Sequence, residues 1–236
     1  MSKKGGAQKK KEKEGQWKQP AASRARDEPT GSGLRLACNP HKSIVTCLQN
    51  RKIMSIQIQR HLFTIADYHK MGAAGILPER GIELINGEII KMSPIGSKHA
   101  AKVDKLGRLL NEQLSKALIV RSQNPFIAND LSEPEPDIAL LKYRDDFYEN
   151  ELPHGTDIHL IIEVADTTFA YDTKVKLPLY ASSGIPEYWV IDLNKKQVHV
   201  YWDALENSYQ LSKVYRSGEL IKAQGIELEL EVAQVI

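Results

Sequence analysis

The 236-residue chain is 42% hydrophobic with a formal net charge of +2, an ordinary globular balance with room for a sizeable core. No apolar run is long enough to cross a bilayer, and no apolar segment follows the basic N-terminus as it would in a secretory signal. The expectation is therefore a soluble, cytoplasmic protein with no membrane partner. Both cysteines, Cys38 and Cys47, fall near the N-terminus, so the rest of the chain offers neither a disulfide framework nor a Cys-ligated zinc site.

The small net charge hides an asymmetry. Up to Arg60 the chain has 14 Lys and Arg against 4 Asp and Glu, whereas His61 to Ile236 has 18 against 26. Residues 1–53 read as a basic, disordered leader, and residues 54–236 as the folded domain. The leader has two readings: an electrostatic arm that contacts nucleic acid, or a solvated extension upstream of a domain beginning at Met54.

The order of elements starts at Thr64, which with Asp67 forms a capping-box pattern ahead of a helix of about three turns over TIADYHKMGAAGIL. IELINGEIIKM follows, two β-rich runs around Asn86-Gly87, a strong hairpin signal. Pro94 and Gly96 end it. Ala100, Val103, Leu106, Leu110 and Leu114 then mark one stripe of a long amphipathic helix over Ser97–Ala117. ALIVRS and NPFIA are candidate strands. Pro134 and Pro136 hold DLSEPEPD out of a ladder until IALL resumes a strand. After a polar loop, IHLIIEVA is a continuous apolar run of the kind buried on both faces. A helix over Thr173–Ser183, a stop at Gly184-Ile185-Pro186, the strand EYWVID and further β runs from Gln197 complete the chain. The body is α/β or α+β, a mixed sheet with flanking helices.

Chemistry concentrates between Pro136 and Asp192. Asp137 leads into the IALL strand, and Glu163 stands near the end of an apolar strand, where a charge is costly unless paired, metal-bound or exposed. Magnesium is held by one or two carboxylates plus water and substrate oxygens, and phosphodiester hydrolysis uses such an ion to polarise phosphate and generate hydroxide. Lys176 is placed to orient water or stabilise charge. On residue types alone the plainer reading also stands, with carboxylates as caps and Lys176 paired to Asp172 one helical turn earlier. Tyr180, Tyr188 and Trp189 fall in apolar runs and read as core.

Taken together and in order, FTIADYHKM, ERGIELINGEIIKMSPIGSKHA, SEPEPDIALL, IIEVADTT and YDTKVKLPLYASSGIPEYWVID resemble the Uma-two family of restriction endonucleases, within the PD-(D/E)XK nuclease superfamily. The resemblance covers roughly Phe63 to Asp203. It implies a restriction-endonuclease-like core with a C-terminal β extension, and a magnesium-dependent (Mn2+ as substitute) endonuclease acting on DNA, commonly as a homodimer. Asp137 then matches the PD aspartate, Glu163 the metal-binding acid and Lys176 the lysine. The superfamily's usual lysine lies two places after the acid, where this chain has Ala165, so the lysine has moved to the following helix. Glu83 matches an acid the family often carries before its hairpin, with a solvent-facing strand residue as the alternative. His99 matches a frequent histidine after the PIGS loop, the alternative being a surface or capping residue. Two other readings remain: a catalytically silent nucleic-acid-binding domain of the same fold, and a dimeric interaction domain.

Overall fold

The computed structural model describes residues 60–78, 80–114 and 117–236. The leader and both cysteines lie outside the described residues. The first helix, α1 (Ile65–Ala73), carries the capping box, with the Thr64 side chain accepting from the Asp67 N–H. It is shorter than TIADYHKMGAAGIL suggests, because Gly75 enters left-handed backbone at φ +68 and ends the turn. Strands β1 (Ile82–Ile85) and β2 (Glu88–Lys91) form the expected hairpin, with Asn86 and Gly87 both at positive φ.

Helix α2 (Ser97–Gln113) buries Val103, Leu106 and Leu110, as the apolar stripe requires. It stops at Gln113, since Leu114 is already extended at ψ 143. The central sheet has six strands in the order β3 (Leu118–Ser122), β4 (Ile138–Lys142), β5 (Ile158–Ala165), β6 (Glu187–Asp192), β7 (Gln197–Leu205) and β8 (Ser208–Arg216). Only β5 and β6 run parallel, and every other neighbour is antiparallel. The C-terminal β runs therefore extend the main sheet, and a short pair, β9 (Leu220–Lys222) and β10 (Glu229–Glu231), precedes helix α5 (Val232–Val235). NPFIA is not a strand. Phe126 N–H is used by the Pro134 carbonyl and Ile127 N–H by Pro153, leaving one isolated bridge between Ile127 and His154.

Alternation along the buried strands assigns each face. Ile138, Leu140, Leu160, Ile162, Val164 and Trp189 join the core beneath α2. Ala139, Leu141, Ile161, Ala165, Tyr188 and Val190 join a second core with Leu179 and Tyr180. By the same alternation Asp137 and Glu163 belong to the second face. Tyr180 and Tyr188 meet there edge to face, ring centroids 5.1 Å apart.

The helix over this second face is interrupted. It begins as α3 (Phe169–Tyr171), widens into a π turn over Asp172–Lys176, and continues as α4 (Leu177–Ser182). Leu177 N–H reaches back five residues to the Asp172 carbonyl. Pro178 accounts for the widening: it has no N–H to give, and its ring would clash with the carbonyl four residues earlier in a regular α-helix. The far end of α4 rests on Gly155, where an added Cβ would lie 2.2 Å from the Ser183 carbonyl oxygen. Gly155→Ala is accordingly expected to destabilise the protein by about 1–3 kcal/mol, read as a lowered urea midpoint. An unchanged midpoint would mean that this approach opens freely.

Candidate active site

Asp137 and Glu163 face each other across neighbouring strands. Ile138 pairs with Ile162 in the β4–β5 register, so one step outward brings Asp137 opposite Glu163. Each carboxylate is held by the other strand's backbone: Val164 N–H donates to Asp137 Oδ2 at 2.9 Å, and Asp137 N–H to Glu163 Oε2 at 3.3 Å. Like charges directly opposite on a sheet repel, and both groups are buried. The arrangement calls for positive charge.

Lys176 supplies part of it. The π turn brings its ammonium, on a side chain 2% exposed, to 2.9 Å from Glu163 Oε1 and 3.2 Å from Glu83 Oε1. It does not pair with Asp172, so that alternative fails. Burial pushes the ammonium pKa down, but Glu163, Glu83 and Asp172 together more than reverse this and hold it charged. The Tyr180 hydroxyl also donates to Glu163 Oε1, at 2.8 Å. Tyr180 is thus a core residue, as its apolar surroundings suggest, with a polar tip in the cluster.

Glu83 is not a solvent-facing strand residue: it is 0% exposed. Its position follows from the two prolines just before β4. Leu84 bridges Glu133, Pro134 and Pro136 have no N–H to offer, and the N–H between them, on Glu135, donates to Glu83 Oε1 at 3.0 Å. Glu83 Oε2 is buried without a hydrogen-bond partner. His99 is likewise no mere surface or capping residue. From the first turn of α2, its Nε2 lies 2.9 Å from Asp137 Oδ2. That bond raises the imidazole pKa, against an opposing effect of burial. Gln123 Nε2 approaches Asp137 Oδ1 at 3.5 Å.

Asp172 is a member that strand and helix patterns did not single out as a site residue. It is buried in the π turn, accepts from the Thr168 hydroxyl at 2.6 Å, and its pKa is pushed up to about 6, chiefly by burial. Lys176 and the Thr168 bond oppose that rise, while Asp137 and Glu83 add to it. Burial likewise raises the Glu163 pKa well above the ordinary carboxylate range, with Asp137 and Asp172 adding to it against Lys176. The signal for Asp172 available in sequence was its place one turn before Lys176 in YDTKVK. When ionised, Asp137, Glu163, Glu83 and Asp172 outnumber the Lys176 charge, and a protonated His99 only narrows the excess.

No group of three or more His, Cys, Asp and Glu with metal-holding geometry occurs among the described residues. Magnesium does not need one, since one or two carboxylates with water suffice. A buried excess of carboxylates, with Glu83 Oε2 unpartnered, fits a hard divalent cation. No helix among the described residues is long and apolar enough to cross a membrane.

Comparison with known proteins agrees with this architecture. A crystallised protein of Anabaena variabilis ATCC 29413, described as "a putative nuclease belonging to DUF820", shares the fold at a TM-score of 0.58 and 19% identity, covering 73% of this chain and 97% of that one. No curated protein matches in sequence. The profile of the Uma2 family, described as "Putative restriction endonuclease", matches residues 65–234. That span starts with α1 and ends in α5, so every element that positions the acidic cluster lies inside it, and the chain belongs to the Uma2 restriction-endonuclease family.

Proposed function

We propose that the chain is a divalent-metal-dependent DNA endonuclease with its body in residues 54–236 and a separate basic leader in residues 1–53 that contacts nucleic acid. The observation that carries this reading is the Asp137–Glu163 pair, two buried carboxylates directly opposed across β4 and β5 and short of positive charge. Asp137 and Glu163 would hold Mg2+, with Mn2+ as a substitute. The ion, when bound, supplies Lewis acidity toward phosphate and lowers the pKa of a bound water.

The chain's own residues have separate tasks. The reciprocal backbone bonds from Val164 and Asp137 fix both carboxylates before substrate arrives. Lys176 acts through Glu163: its buried ammonium is held between Glu163 and Glu83, so it stabilises the charge of the ligand and is a positioning residue. Tyr180 fixes the same oxygen. His99 orients Asp137 from the α2 side. Replacing the orienting partner of a metal ligand typically costs 10- to 100-fold in metal affinity, and His99→Ala is expected to weaken Mg2+ binding by about that factor in calorimetry. Undiminished affinity would detach His99 from the site.

The direct test is cleavage of plasmid DNA by the purified full chain with Mg2+ or Mn2+ and with chelator. Metal-dependent cutting supports the reading. Metal and DNA binding without cutting of DNA or RNA would instead favour a silent binding domain of the same fold. The family resemblance implies a homodimer, and we propose the open edge of β8, where Leu211 is exposed, as its contact. Sedimentation reads it independently of activity.

A further inference from the structure

At the strand end that carries the acidic cluster, on the α2 side of the sheet, lies a cleft lined by lysines. Lys98, Ala101, Lys102 and Lys105 recur at helical spacing along one stripe of α2 and form one wall of a cavity of about 620 Å³. Lys196, in the turn between β6 and β7, faces them, and Leu193 and Ile236 contribute its apolar lining. Lys102 gives its ammonium to the Ile236 carbonyl. Lys98, Lys105 and Lys196 are exposed and pair with no carboxylate among the described residues. The acid in the same turn, Asp192, is turned inward, where its Oδ1 accepts from the backbone N–H groups of Asn194 and Lys195, and its Oδ2 lies 3.9 Å from the Lys195 ammonium. Such a concentration of cations contrasts with the body as a whole, where acids exceed bases by 8 from His61 onward.

The position of the cleft ties it to the site. Lys98 immediately precedes His99, which bonds Asp137. Leu193 N–H donates to the carbonyl of Ala165, two residues after Glu163. The cleft therefore opens at the same end of β5 and β6 as the opposed carboxylates. Along α2, Lys98 and Lys105 are about 10 Å apart at 1.5 Å per residue, the axial rise of about three nucleotides of duplex at 3.4 Å each.

We infer, resting on the nuclease reading above, that Lys98, Lys105 and Lys196 form the backbone track for the DNA duplex, holding phosphates on one side of the bond to be cut. The three ammonium groups contact phosphate oxygens only, so the track confers register and affinity without sequence preference. The apolar lining leaves the ammonium groups few competing partners and lets the lysine stems lie along it.

Fluorescence anisotropy with a labelled DNA duplex in Ca2+, as a function of salt, tests the track in the full chain. The comparison is between wild type and the triple variant Lys98→Gln, Lys105→Gln, Lys196→Gln. Both carry the same leader, so its contribution cancels. Neutralising three phosphate contacts is expected to flatten the slope of log K against log salt by about 2.7, at about 0.9 per contact, and to weaken binding on the order of a hundredfold at 0.1 M salt. Lys142→Gln, at the opposite end of β4 from Asp137, is expected to leave slope and affinity unchanged. A triple variant with wild-type slope and affinity, in a protein that cleaves DNA, overturns the track and spares the nuclease reading. Normal duplex binding with lost self-association in sedimentation overturns it in favour of a contact between copies. A wild type that neither binds nor cuts DNA overturns both.

Discussion

Glu163→Gln is expected to reduce metal-dependent DNA cleavage by about three to four powers of ten while leaving the protein folded. In the proposed mechanism the loss follows from removing a charged ligand of an ion whose Lewis acidity supplies several kcal/mol, at 1.36 kcal/mol per tenfold. Retained folding follows from shape. The amide oxygen of Gln can still accept from Lys176 and Tyr180, which reach the carboxylate at 2.9 and 2.8 Å, and only the longer bond from Asp137 N–H to the other oxygen, at 3.3 Å, is given up. The substitution also removes the repulsion with Asp137. Glu163→Ala tests the site less cleanly, since it opens a cavity and leaves Lys176 to Glu83 alone. Single-turnover cleavage together with a urea midpoint separates the two effects. Cleavage within tenfold of wild type would take Glu163 out of the ligand set.

Lys176→Met is expected to destabilise the protein by about 3–5 kcal/mol at neutral pH, the usual cost of removing one partner from a buried charge pair. Lys176 is the cation shared by Glu163 and Glu83, and it also opposes the raised pKa of Asp172. The pH dependence gives the cause away. Burial already holds the Glu163 and Asp172 pKa values above their unfolded ones, and without Lys176 they rise further. A carboxylate whose folded pKa is raised gives up stability as pH climbs from its unfolded pKa through the folded one. The deficit should therefore be larger at pH 8 than at pH 5 in chelator, and Glu163→Gln added to Lys176→Met should recover part of it at pH 8. A deficit equal at both pH values would assign the loss to packing.

Much of this architecture was legible because burial leaves a strong mark on strands. IHLIIEVA and EYWVID are apolar without alternation, and they are the two parallel strands covered on both faces. A carboxylate within such a run had few explanations, which is why Glu163 stood out, and Asp137 followed from its place before IALL. Glu83 was harder. A four-residue strand announces its hairpin but not which side is covered, and its partner Lys176 is 93 residues away. Asp172 and the π turn were not legible from periodicity, because a helical pattern assumes 3.6 residues per turn throughout. NPFIA misled because apolar composition says nothing of where the N–H groups go, and here they go to loop carbonyls.

The widened turn over Asp172–Lys176 has a consequence for how such a site can vary. In a strand, the cation's place is tied to the pairing of β5 with both neighbours, so any adjustment disturbs the sheet. Carried on the helix, it is set by how far that helix is wound, and Pro178 governs the winding. The acids and their counter-charge are then two parts with separate controls, one answering to strand register and the other to helical pitch. A lineage could retune the charge balance by altering one turn of helix while the opposed carboxylates keep their places.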